Sequence, residues 1–193
     1  FQRGSLESFV FAFGFGMVCP LIVEITHGNG NDSPQRREGN TNMSDRDWPN
    51  LVAMFFDQVD RMGDRPFLWK KSGGNYQSLS WGETAARITP LARGLMALGV
   101  GPGDRVMLVS ENRPAWLVSD LAIMSTGAIT VPAYTTNTSD DHLHLLHDSG
   151  AKGVIVSTRR LAETLLSAAL KAPDLEFVIA MDLLELAQEL NVQ

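Results

Sequence analysis

One cysteine, Cys19, is all the thiol chemistry that this chain of 193 residues offers. A single thiol excludes an intramolecular disulfide and a cysteine-based metal site. It points to a reducing, cytoplasmic setting, in which the sequons Asn31-Asp32-Ser33 and Asn137-Thr138-Ser139 carry no meaning. Positive charge is also in short supply: 16 Lys and Arg stand against 22 Asp and Glu, for a net charge of −6. That balance gives no electrostatic footprint for nucleic acid. Long apolar runs are missing too. The best, Phe9–Val23, falls short of the ~20 residues a membrane helix needs, and Gly14, Gly16 and Pro20 interrupt it. It makes a poor signal peptide, because Arg3 is the only early base, Glu7 offsets it, and no small-residue cleavage site follows.

What is present begins after a polar, Gly/Asn-rich stretch (GNGNDSPQRREGNTN, residues 28–42) of linker composition. Met43 is the expected natural start, with residues 1–42 as upstream sequence read in frame or a cloning remnant. The alternative is a real interfacial anchor at Phe9–Val23. From Pro49-Asn50 onward the pattern becomes regular. Leu51, Met54, Phe55, Val59 and Met62 form a helical stripe closed by Gly63-Asp64. Phe67–Lys71, a Ser72-Gly73-Gly74-Asn75 turn and Tyr76–Leu79 read as a hairpin. Ser80-Trp81-Gly82-Glu83 has the spacing of a capping box. The helix it opens should run to Leu98 with Ala86, Leu91, Leu95 and Leu98 on one side, a kink at Pro90, and Gly99 past its end.

Beyond Trp81, helix and strand alternate. Strands are expected at Arg105–Ser110, Ile129–Ala133, Val154–Ser157 and Phe177–Ala180. The first two helices between them are capped by Asn112 and Thr138, the third runs over Thr158–Lys171 and is stopped by Pro173, and Leu183–Leu190 is helical in pattern. Uninterrupted apolar strands alternating with helices predict a three-layer α/β fold: a mainly parallel sheet with flanking helices.

Candidate chemistry is sparse. Gly99, Gly101 and Gly103 follow a helix and precede a strand, the reverse of a phosphate cradle, so they read as a turn. Glu111-Asn112-Arg113-Pro114 is better placed, at the C-terminal end of a strand where ligands of open α/β sheets bind; Arg113 could hold an anion there or be a surface residue beside a cap. His142, His144 and His147 share one helix, but only the last two share a face, and no cysteine joins them, so a solvated face is expected rather than zinc. Tyr134–Thr138 is rich in hydroxyls yet lacks the glycine and lysine of a phosphate loop. Trp81 and Trp116 read as packing residues. No serine sits in a G-x-S-x-G elbow. The residues alone thus give an α/β domain with no catalytic, cofactor-binding or metal-binding residue.

A resemblance adds to this. Leu79–Glu83 (LSWGE), Leu95–Arg105 (LMALGVGPGDR), Asn112–Trp116 (NRPAW), Asp120–Ile123 (DLAI), Gly127–Thr136 (GAITVPAYTT) and Asp148–Ser157 (DSGAKGVIVS) stand in the order and spacing of an AMP-forming acyl-CoA synthetase of the adenylate-forming superfamily. Phe67 to Asp182 resembles the N-terminal portion of such an enzyme, and NRPAW and VPAYTTNT resemble its long-chain fatty-acid branch. The resemblance implies that the parent joins a fatty acid to ATP, releases pyrophosphate, and lets coenzyme A displace AMP, with Mg²⁺ assisting. It also implies the parts that do this: a Ser/Thr/Gly-rich loop ending in Pro-Lys-Gly, a Mg²⁺-binding Glu, a ribose-binding Asp and a mobile Lys. No Pro-Lys-Gly occurs in the chain. The expectation is therefore an extension over 1–42 and a truncated N-terminal α/β subdomain over 43–193. That subdomain is inactive alone, binds no cofactor, and lacks the remainder of its adenylation domain. The alternative is a non-catalytic interaction module, peripheral at a membrane through Phe9–Val23.

Overall fold

The computed structural model describes residues 47–182. The Phe9–Val23 run, the expected start at Met43 and the expected helix Leu183–Leu190 lie outside the described residues. The elements follow in the order α1 (Leu51–Met62), β1 (Pro66–Ser72), β2 (Asn75–Ser80), α2 (Trp81–Ala97), β3 (Arg105–Val109), α3 (Pro114–Ser125), β4 (Ile129–Ala133), α4 (Ser139–Ser149), β5 (Gly153–Val156), α5 (Arg159–Ala169) and β6 (Phe177–Ala180). Among the described residues, no helix is long and apolar enough to cross a membrane.

The first part is a helix, a hairpin and a second helix joined by aromatic packing. Asn50 caps α1 by accepting from the Ala53 N–H at 2.8 Å. β1 and β2 pair antiparallel with a bulge between Pro66 and Leu68, and the bulged residue Phe67 stacks on Trp81 at 3.8 Å. Phe55 of α1 meets both rings, at 5.9 and 5.6 Å between centroids. The capping box forms as its spacing predicts: Ser80 Oγ accepts from the Glu83 N–H at 3.1 Å, and Glu83 Oε2 accepts from the Ser80 N–H at 2.7 Å. α2 runs through Pro90 as one helix. Its buried face is Ala85, Ile88, Ala92 and Leu95; Ala86 is exposed. Ile88 is the residue that the expected stripe missed; Leu91 and Leu98 of that stripe are half-buried and pack against the same core. Gly99 (φ 83°) then ends the helix, with Val100 N–H reaching Leu95 O and Gly99 N–H reaching Met96 O at 3.0 Å each.

The second part is a four-stranded parallel sheet in the order β4-β3-β5-β6. Side chains alternate across it. Val106 and Leu108 of β3, Ile155 of β5 and Phe177 and Ile179 of β6 face a core shared with α1, α2 and α3. Met107 and Val109 of β3 and Val154 and Val156 of β5 face the other way, onto Leu146 of α4 and Leu161, Leu165 and Ala168 of α5. The three-layer α/β architecture expected from the alternating pattern is therefore present. α3 is apolar around most of its girth because it lies between the sheet and α2.

The N-terminal end of β3 ties the layers together. Arg105 donates from Nε to Ser149 O and from Nη2 to Gly150 O, both at 2.6 Å, satisfying carbonyls at the end of α4 that have no partner within the helix. A Cβ on Gly150 (φ 57°) would sit 2.5 Å from Arg105 Nη2.

Gly153 has a different reason to be glycine. It pairs directly with Phe177, and a Cβ there would lie 2.0 Å from the ring's Cζ. The ring is buried in the first core. Gly153→Ala should destabilise the fold by about 1–3 kcal/mol, the usual cost of overpacking. Urea unfolding measures this, and an unchanged midpoint would show that the ring moves freely.

Candidate functional site

The connection β3–α3–β4 runs toward one edge of the sheet, and β5–α5–β6 runs toward the other. Right-handed crossovers then require α3 and α5 on opposite faces, as the two cores have them. The chain leaves adjacent strands β3 and β5 in opposite directions and opens a crevice at their C-terminal ends, where open α/β sheets bind ligands.

Glu111 follows β3 and Ser157 follows β5. The fully buried Ser157 hydroxyl donates to Glu111 Oε2 at 2.5 Å. Behind them Arg113 clasps Asp182 by two parallel bonds, Nη1 to Oδ2 at 2.7 Å and Nη2 to Oδ1 at 2.8 Å. Asp182 is itself held against the strand end, its N–H donating to Ser157 O at 3.1 Å. The Arg113–Asp182 fork thus fastens the segment after β6 to the loop after β3, across the end of β5. The Ser157 hydroxyl, with smaller help from Arg113 and Arg160, holds the Glu111 carboxyl below the usual range. The hydrogen bonds to Asp182 raise the Arg113 guanidinium. Glu111, Thr158, Arg159, Arg160 and Glu163 line an open groove beside this pair. Thr158 Oγ1 accepts from the Leu161 N–H at 3.4 Å as the α5 cap, and Arg159 pairs with Glu163 at 2.9 Å.

Chemically this is a braced ledge. Ser157 meets a carboxylate whose basicity is lowered, which makes a weak general base, and no histidine stands between them. Among the described residues no group of three or more His, Cys, Asp and Glu could hold a metal ion.

The structure brings Glu111 and Arg113 to the crevice as their position predicts, but two details differ. Asn112 is exposed and does not cap α3; the N-cap is Arg113, which makes no side-chain cap bond. Pro114 at the first helical position explains this, because a residue before proline is driven out of the helical region, and Arg113 is extended (φ −149°, ψ 158°). Arg113 is also not a loose surface cation, since Asp182 occupies it. His142 is likewise not solvated. Thr138 and Asp141 form a capping box that sets the phase of α4, so His142 falls one turn before buried Leu146 and is itself 0 % exposed. Neither of its ring nitrogens has a hydrogen-bond partner among the described residues, and burial pushes its pKa down. His144 and His147 are exposed.

Gly99, Gly101 and Gly103 lie at the opposite end of β3, in a turn where Gly101 N–H donates to Asp104 Oδ2 at 2.9 Å. Tyr134–Thr138 is the loop after β4, with Thr138 as a cap. Trp81 and Trp116 pack against the first core. Sequence reasoning missed Ser157 and Asp182. They lie 46 and 69 positions from their partners, and no local spacing announces either.

Comparison with known proteins settles the family. Residues 55–193 match the family described as AMP-binding enzyme. The chain belongs to that family. It is 34% identical over 109 residues to a long-chain-fatty-acid–CoA ligase of Mycobacterium tuberculosis, covering 56% of this chain and 18% of the relative. It is 41% identical over 92 residues to a feruloyl-CoA synthase of an Amycolatopsis species, covering 48% and 18%. The chain thus spans about a fifth of the length of these curated relatives. Among solved structures, a benzoate CoA ligase from Burkholderia xenovorans superposes with a TM-score of 0.60 at 27% identity, over 67% of this chain and 25% of that one. A long-chain-fatty-acid–CoA ligase from Archaeoglobus fulgidus shares the fold with a TM-score of 0.61 at 22% identity, over 67% and 27%.

Two measurements probe this part of the chain. A double-mutant cycle on Arg113→Met and Asp182→Asn should give a coupling of about 1 kcal/mol, as befits a half-buried bidentate pair; a coupling near zero would mean the fork does not hold in solution. The second concerns His142. Its folded pKa lies below the ordinary 6.5, so the unfolded chain takes up the proton first and stability is lost as pH falls below about 6.5. The depressed carboxylates Asp104, Glu111 and Asp141 titrate lower still. Urea midpoints at about pH 7.5 and 5.5 should therefore differ in the native chain and converge in His142→Leu.

Proposed function

We propose that this chain is the N-terminal α/β part of an ATP-dependent ligase that adenylates a long-chain fatty acid and passes the acyl group to coenzyme A. In that chemistry a carboxylate oxygen attacks the α-phosphorus of ATP and expels pyrophosphate; the thiol of coenzyme A then displaces AMP. The observation that carries the reading is the match to the AMP-binding enzyme family over 55–193, joined to 34% identity with a long-chain-fatty-acid–CoA ligase. The feruloyl-CoA synthase supports the ligase class with a different acid. The long-chain choice rests further on the wording of Asn112–Trp116 and Val131–Thr138.

Within this reading residues 43–193 belong to the adenylation domain and residues 1–42 lie outside it. The chain supplies a wall, not the reacting groups. ATP, Mg²⁺ and coenzyme A are held by parts of the longer protein that carry the Pro-Lys-Gly loop and the ribose-binding and metal-binding acids. Residues 47–182 contribute the sheet, its braced C-terminal edge and a rigid surface for those parts to pack on. The parent works in the cytoplasm.

A chimera tests the proposal. Residues 55–182 replace the matching segment of the M. tuberculosis ligase, and pyrophosphate release is followed with palmitate, ATP and Mg²⁺. Palmitate-dependent release within about tenfold of the parent is expected. A folded, monodisperse chimera without it would favour a non-catalytic interaction module. The 193-residue chain by itself should release no pyrophosphate above blank; turnover by it would contradict the assignment of the catalytic groups elsewhere.

A further inference from the structure

The β1–β2 hairpin stands apart from the parallel sheet as a two-stranded ribbon. Its base is pinned by Phe67 and by half-buried Leu68 and Leu79, and the rest is open. Trp69 is 58 % exposed and Tyr76 69 %. These are large amphipathic rings that a folded protein does not usually leave so bare in a pair. The register explains why they act together. Lys71 is directly opposite Tyr76, and Trp69 is opposite Ser78, so the pleat puts Trp69, Lys71, Tyr76 and Ser78 on one face, with the two rings diagonal neighbours. Lys70 is also exposed, on the other face of the same short ribbon.

The charge of this piece runs against that of the chain. Arg65 to Gly82 contains three basic residues, Arg65, Lys70 and Lys71, and not one of the 22 acidic residues that make the whole chain net −6. A local positive patch with two exposed interfacial aromatics fits a surface that is negatively charged and has an apolar layer beneath it. Trp and Tyr settle at the level of lipid headgroups, and lysines near an anionic leaflet are drawn to it. A protein face is the weaker fit, since the buried part of protein interfaces is depleted in lysine.

We propose that the exposed face of the β1–β2 hairpin, Trp69, Lys71 and Tyr76 with Lys70 beside them, docks this protein on an anionic lipid surface. The attachment is peripheral and reversible: the rings enter the headgroup layer and the lysines pair with lipid phosphates and carboxylates. It is independent of Phe9–Val23 and of which acid the parent activates.

The test is partitioning of the whole chain onto vesicles of phosphatidylcholine with and without about 30 mol% phosphatidylserine, the anionic lipid supplying the attraction. Binding is expected with phosphatidylserine only, and half-molar salt should release it. Lys70→Glu with Lys71→Glu should weaken it at least about tenfold, each lysine near the surface contributing substantially. Lys70→Arg with Lys71→Arg should retain it. Trp69→Ser with Tyr76→Ser should weaken it several-fold while circular dichroism stays unchanged. No binding of the native chain to phosphatidylserine vesicles would overturn the proposal and leave a protein partner as the occupant of this face. Binding that all three variants keep undiminished would overturn it as well, by placing the contact elsewhere in the chain.

Discussion

β3 is the strand on which the rest depends. It is hydrogen-bonded on both sides, by β4 and by β5, and Val106, Met107, Leu108 and Val109 are all completely buried. Each such side chain contributes about 1.5–3 kcal/mol on leaving water, and the period of two sends alternate ones to opposite layers. Val106 and Leu108 thereby found one core, and Met107 and Val109 the other. A single polar substitution in this run would strand a group between two helical layers with no partner.

The same strand sets where a ligand could approach. The chain leaves β3 toward one edge, while β5 beside it feeds the other, and the handedness of crossovers converts that divergence into a crevice. Its two ends are treated differently. At the N-terminal end Arg105 caps α4, while Lys152 donates to Gly99 O at 2.8 Å and lies 3.5 Å from Asp104. This is structural bracing, and the Gly99–Gly103 turn belongs to it. At the C-terminal end Glu111–Ser157 and Arg113–Asp182 satisfy one another. Groups paired with each other in this way brace that edge of the sheet. The chain spans about a fifth of the length of the curated relatives it matches.

Much of the fold was legible because its signals are local. The Ser80–Glu83 box, the Thr138 cap and the apolar strands each act within a few residues, and the described elements fall within one or two positions of their expected bounds. Asn112 was misjudged because a proline's effect on the residue before it outweighs a good capping side chain. Ala86 and His142 were misjudged because helix phase is set by burial against another layer. For α2 that layer is the first core around Ile88; for α4 it is the sheet beneath Leu146. The site was half legible. Position at a strand end marks Glu111 and Arg113, whereas Ser157 and Asp182 become their partners only when β5 and β6 pair, a long-range event with no local trace. The family was legible for another reason: runs such as Asn112–Trp116 are distinctive as text, even though here Arg113 braces and Trp116 packs.

Amide hydrogen exchange on the folded chain tests the central role of β3 most directly. The account predicts that the amides of Val106 to Val109 exchange only through global unfolding, while those of the edge strands β4 and β6 exchange earlier through local opening. Exchange in β3 as fast as in either edge strand would contradict it.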